Sequence, residues 1–137
     1  MSASEIQNKV LKIIAVLLLL SAVSLLAVIP AILLDKSSSS MPIQAAIGAL
    51  LGMGLHLFGA YWLGIKLRRR KAGIRNEAFI LLATALFFLG IMMIDGADAF
   101  RDDVIFVSVG MYICASFDFA ASLVSIIALI LLRKKKK

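Results

Sequence analysis

An all-α, polytopic membrane fold with four transmembrane helices is predicted by three features of the sequence. Of 137 residues, 62% are hydrophobic and 17% charged, whereas a soluble domain averages about 45–50% and about 25%. The apolar residues fall into four runs, Val10–Leu34, Ile43–Ile65, Ala78–Ile94 and Val104–Leu132. The cations collect at the chain ends and in one loop. About 20 apolar residues rising 1.5 Å each cross a hydrocarbon layer about 30 Å thick, so all four runs are long enough, the third only just. Backbone N–H and C=O groups facing lipid must be satisfied within the segment, so the runs are helices rather than strands. The runs take 94 of the 137 residues, which leaves no length here for a separate aqueous domain. A soluble enzyme, a zinc module and a nucleic-acid reader are thereby excluded.

The first run follows Lys9 and Lys12 as a secretory leader would, but its apolar stretch is about twice the usual length, so it reads as a span. Pro30 lacks a donor for the helical ladder and is expected to bend the outer end. The connection Asp35–Pro42, DKSSSSMP, is polar and puts Pro42 in the first turn of the second helix, where its missing N–H costs nothing. Residues 66–77 form a cationic hairpin loop, with Asn76 as the expected cap of the third helix. The segment from Asp95 to Asp103 reads as an acidic outer turn, without the alternating ligand spacing of a calcium loop. The fourth run exceeds what the bilayer needs and should tilt or project.

Short connections make sequential helices antiparallel, which gives an up-down-up-down bundle of one domain. Thirteen of the fifteen Lys and Arg residues fall on one side, against Lys36 and Arg101 on the other. The excess of cations on the inner face then assigns both termini and the middle loop to the cytoplasm. Arg68, Arg69, Arg70, Lys71, Arg133 and Lys134 are the expected contacts to anionic headgroups. A bacterial inner membrane and a eukaryotic endomembrane fit equally well.

Helices in lipid associate through close approach of small residues and through interhelical hydrogen bonds. The second span carries such a ridge, Gln44, Gly48, Gly52, His56, Ala60, Gly64, and the fourth a matching one, Gly110, Cys114, Asp118, Ser122, continued by Ser125. Two members do not belong to simple packing. An ionisable side chain near a bilayer centre costs at least about 2.5–3.5 kcal/mol, so Asp118 is expected to face the interior and find a partner. His56 is the expected partner: counting from the outer edges sets the two within about 2 Å in depth, while counting from the inner edges separates them by about 8 Å because the fourth run is overlong, so the pairing is permitted rather than fixed. In a square bundle their helices are diagonal, so contact has to cross the axis or use a water.

Two uses of the pair follow. As a structural group, a protonated Asp118 donates one hydrogen bond and fixes helix register. As a functional group, an Asp–His couple is what a proton relay or cation-linked transporter uses. The rest of the sequence offers little polar lining, chiefly Ser21, Ser24, Thr84, Ser116, Ser122 and Ser125. A single histidine supplies only one axial ligand to a haem, which makes a haem at His56 a minor option and no cofactor the expectation. The lone Cys114 excludes an intrachain disulfide and a cysteine-rich metal site, and no metal ligand set is expected. No G-x-S-x-G, no G-x-x-x-x-G-K and no H-E-x-x-H occurs, so no catalytic residue is expected. The sequence therefore points to a non-enzymatic membrane protein that acts by helix association, as an accessory or assembly subunit of a larger complex or a homo-oligomer. The alternative is a small proton- or cation-linked transporter using Asp118 and His56.

Overall fold

A computed structural model of the chain describes residues 2–34, 41–67, 75–101 and 105–136. The described residues form four long helices: α1 (Ala3–Leu34), α2 (Met41–Tyr61), α3 (Ala78–Phe100) and α4 (Ile105–Lys136), with a π turn over Trp62–Leu67 closing α2. All four contain a stretch long and apolar enough to cross a membrane: Ala3–Leu26, Ile47–Ile65, Ala78–Phe100 and Val107–Lys136.

Helix α1 begins well before the apolar run because its first turn is capped. The Ser2 hydroxyl accepts from the Glu5 N–H at 3.3 Å, and the Glu5 carboxylate accepts from the Ser2 N–H at 2.9 Å. This reciprocal pair is a capping box, spelled in the sequence as Ser-Ala-Ser-Glu. Pro42 falls in the first turn of α2, as expected. Asn76 does not act as a side-chain cap for α3. The residue preceding that helix, Glu77, makes no side-chain cap bond, and the Asn76 amide oxygen instead accepts from Gln7 Nε2 of α1 at 3.3 Å.

Helix α3 runs six residues past the apolar run, through Asp95 and Asp98, so the first part of the expected acidic turn is helical. Tertiary contacts explain the extension. Ala97 is fully buried, its carbonyl accepts from the Ser108 hydroxyl of α4 at 2.8 Å, and the Tyr112 hydroxyl donates to the Asp98 carboxylate. Lys36, Arg68 to Lys71, Asp35, Asp102 and Asp103 lie outside the described residues.

Packing places α1 between α2 and α4, with α3 against the other flank of α4. Among the described residues no Cα of α2 comes within 8 Å of one in α3 or α4. The glycines of the α2 ridge therefore do not meet the backbone of the α4 ridge. A Cβ on Gly64 would sit 3.0 Å from the Ala15 side chain of α1, and one on Gly52 would sit 3.3 Å from Leu25 of α1 and 3.2 Å from Met93 of α3. Gly48 is exposed, and no described residue of another helix lies within 4 Å of a would-be Cβ on it. Ala60 is buried in one apolar cluster with Ile14, Leu18, Phe79, Leu86 and Ala128. Leu25, Met93, Cys114 and Ala115 form a second.

In the fourth span Cys114 and Ser122 are buried and Gly110 is half-buried. The Ser122 hydroxyl donates to the Ala83 carbonyl of α3 at 2.7 Å. Interhelical bonds of this kind average about 0.6 kcal/mol in membranes, so Ser122→Ala is expected to lower stability to unfolding in mixed micelles by about that amount. A loss above about 2 kcal/mol, beyond the measured maximum for such bonds, would show that Ser122 carries more than this contact.

Candidate functional site

The residues that polarity singled out meet in the interior, at the point where α1, α2 and α4 face one another. His56 and Asp118 both have zero solvent exposure, and His56 Nε2 lies 2.7 Å from Asp118 Oδ1. The contact is direct. It spans the gap between α2 and α4 that their backbones leave open, because both side chains are long enough to reach across from helices that each pack on α1.

Local helix geometry arranges the rest. Residues four apart share a face, so the Gly52 carbonyl stands below the imidazole, 2.6 Å from Nδ1. Cys114 stands one turn before Asp118, with its Sγ 3.8 Å from Oδ2 and 3.7 Å from His56 Nε2. From α1 the Ser21 hydroxyl lies 3.2 Å from Oδ1 and 3.4 Å from the Cys114 carbonyl, one proton serving both acceptors. No buried side-chain N or O atom among the described residues lacks a hydrogen-bond partner.

The bonding fixes the proton inventory. A backbone carbonyl only accepts, so Nδ1 of His56 carries a proton and donates it to Gly52. Nε2 and Oδ1 then share one further proton, held as imidazolium and carboxylate or as imidazole and carboxylic acid. In both forms the pair has no net charge. That neutrality, with every polar atom partnered, is what makes an ionisable pair tolerable at this depth.

The expected partnership of His56 with Asp118 is thus present as a contact, and Ser21, one of the hydroxyls expected to line the interior, joins it. The sequence reading placed Cys114 on the packing ridge and missed it as a third polar group beside the pair. The signal was its position four residues before Asp118 on the same helix. Both ring nitrogens of His56 are engaged, Nε2 toward Asp118 and Cys114 and Nδ1 with the Gly52 carbonyl. A separate groove of about 300 Å³ between α3 and α4 is lined by Phe79, Phe87, Ile126 and Leu129 among others and shares no residue with the cluster. At the other end of α4, Arg133 and Lys134 are exposed, as headgroup contacts need to be.

Fold and site define an all-helical, multi-pass integral membrane protein with a closed polar cluster at its centre. No protein-family model matches the chain, and no curated protein or solved structure matches it significantly.

Proposed function

We propose that this chain is a non-enzymatic membrane protein that works by helix association, as an accessory or assembly subunit of a larger membrane complex or of a homo-oligomer. The observation that carries the reading is the division between a satisfied interior and an under-packed exterior. Every buried polar side-chain atom described is bonded within the chain, while among the described residues α2 has close backbone neighbours in other helices only on the side of α1. Its outer surface presents Leu51, Leu55 and Phe58 together with Gly48, where no described residue of another helix lies within 4 Å of a would-be Cβ. A small residue open to lipid permits close approach by another helix.

The bundle is read as up-down-up-down with both termini in the cytoplasm. In support, one apolar cluster joins Ile6 and Val10 near the start of α1, Ala60 and Leu63 near the end of α2, Phe79 at the start of α3 and Leu132 near the end of α4. The cation excess at those same ends supports the direction. The cytoplasmic ends, with Arg133 and Lys134, then rest on anionic headgroups.

Extraction from native membrane in mild detergent tests association. The chain is expected to migrate with partner polypeptides or as a multiple of itself, and Gly48→Leu is expected to reduce that association without unfolding the chain. A lone monomer that moves protons or cations across reconstituted vesicles would sink the proposal. It would favour the second reading, a small proton- or cation-linked transporter, which the buried His56–Asp118 contact at 2.7 Å supports. Asp118→Asn separates the two, since only a relay loses flux while the assembly stays intact. A C-terminal epitope reached from the cytoplasmic side alone is the expected check on orientation.

A further inference from the structure

We infer that His56, Cys114 and Asp118 form a binding site for one divalent zinc ion, with the metal replacing the protons that now hold the cluster together. The three residues come from α2 and α4, all are buried, and one ligand atom from each lies within 4.8 Å of the others. The donor set is one imidazole, one thiolate and one carboxylate. Such a mixture of soft and hard donors suits zinc better than magnesium or calcium, which take oxygen ligands.

The distances fit a tetrahedral centre. Zinc bonds of about 2.3 Å to sulfur and about 2.0–2.2 Å to nitrogen or oxygen put the sulfur of such a site about 3.6 Å from its neighbouring donors. The observed separations from Sγ are 3.7 Å to Nε2 and 3.8 Å to Oδ2. The 2.7 Å His56–Asp118 contact is made by the other carboxylate oxygen, Oδ1, and is short of the about 3.4 Å that the same bond lengths require between two ligand atoms. It is short because a proton bridges it, and removing that proton leaves two acceptors that repel and open. The fourth position falls to the Ser21 hydroxyl or to the second carboxylate oxygen.

The outer groups are also those of a metal site. A ligating histidine almost always gives its other N–H to a carbonyl or carboxylate, which fixes the ring and the tautomer. The Gly52 carbonyl does this at 2.6 Å from Nδ1, leaving Nε2 as the nitrogen that faces Cys114 and Asp118.

Charge balance favours the exchange. Without metal, the cluster holds a thiol proton and one proton shared by His56 and Asp118, and its net charge is zero. Binding zinc releases those two protons and leaves neutral imidazole, thiolate and carboxylate around a doubly charged ion, again with net charge zero. A low-dielectric interior tolerates both states and penalises any intermediate with unbalanced charge. The site ties α2 to α4 whether or not the association proposed above is correct, so its test is independent of that reading.

The test is metal content. Full-length protein produced in zinc-supplemented cells, purified in detergent and freed of loosely held metal, is expected to retain one zinc per chain. Protein from cobalt-supplemented cells is expected to show a tetrahedral cobalt spectrum with a thiolate-to-metal charge-transfer band. Cys114 is the only cysteine, so that band reports on one residue. Cys114→Ala removes the sulfur and leaves the His56–Asp118 contact. It is expected to abolish the band and to weaken retention by more than the about 10–100-fold that loss of an outer partner costs. Cys114→Ser, which keeps the volume, serves if the alanine variant does not fold. Wild-type protein that retains no more zinc than these variants, or cobalt bound without the thiolate band, would overturn the assignment.

Discussion

Asp118→Ala is expected to destabilise the bundle by about 3–5 kcal/mol, the usual cost of removing one member of a buried charged pair and leaving the other alone. Three losses add. His56 Nε2 loses its strong partner while buried with zero exposure, the Ser21 hydroxyl loses one of its two acceptors, and the Cys114 thiol loses the carboxylate oxygen it faces. Lipid pulls the figure toward the lower end, because a helix unfolded within the membrane finds other polar partners. Unfolding in mixed micelles, followed through the single tryptophan, Trp62, measures it.

The same physics predicts two rescues. Asp118→Asn keeps a side-chain amide that donates to Nε2 and is expected to cost much less than Asp118→Ala. Replacing both partners with Leu removes the desolvation penalty together with the bond, and such swaps are often neutral or stabilising by about 1–4 kcal/mol. The double variant is therefore expected to be more stable than either single alanine substitution. Finding it as unstable as Asp118→Ala would falsify the account of the pair as a clasp. A double variant that folds well but loses metal, flux or its partner would show that the pair is retained for that role rather than for the fold.

The second large effect belongs to Gly90 on α3. A Cβ there would stand 2.8 Å from Cε1 of Phe119 and 3.0 Å from Cδ1 and Cζ, below any comfortable carbon–carbon distance. The ring is hemmed in on other sides, by Phe87, with centroids 5.5 Å apart and planes tilted by 56°, and by the Leu25, Met93, Cys114 and Ala115 cluster it packs against. Gly90→Ala is expected to cost about 1–3 kcal/mol through this overpacking, and Gly90→Val more.

Phe119→Leu should recover part of that loss in the double variant, since residues in contact are not additive. Equal costs with and without Phe119 would show that the strain lies elsewhere. Gly96 is the control. The group nearest its would-be Cβ is the terminal methyl of Met111, which is flexible and moves aside, so Gly96→Ala is expected to be nearly silent.

These two positions differ in how readily the sequence reveals them. Asp118 and His56 stand out because an ionisable group in an apolar run is costly anywhere in lipid, and matching their depths needs only the rise of a helix. Gly90 looks like any other glycine in a span. What makes it intolerant is the ring of one particular residue on α4, and no one-dimensional pattern records that.

The sequence by itself determined the number of membrane-length apolar helices and singled out the two ionisable residues that would need partners inside them. Each follows from a cost that does not depend on packing: unpaired backbone groups in lipid, the length needed to cross, the desolvation of a lone charge. The capping box at Ser2 and Glu5, which the sequence reading did not pick out, is likewise a matter of local spacing.

Only the tertiary structure decided that α1 stands between α2 and α4, so that the Gly52 and Gly64 ridge meets α1 instead of α4. It alone carried α3 through Asp95 and Asp98, and brought Cys114 and Ser21 onto the pair. The reason is that apolar helices in an apolar solvent have many nearly equal ways to pack. The choice among them rests on side-chain shapes and individual hydrogen bonds between residues far apart in the chain.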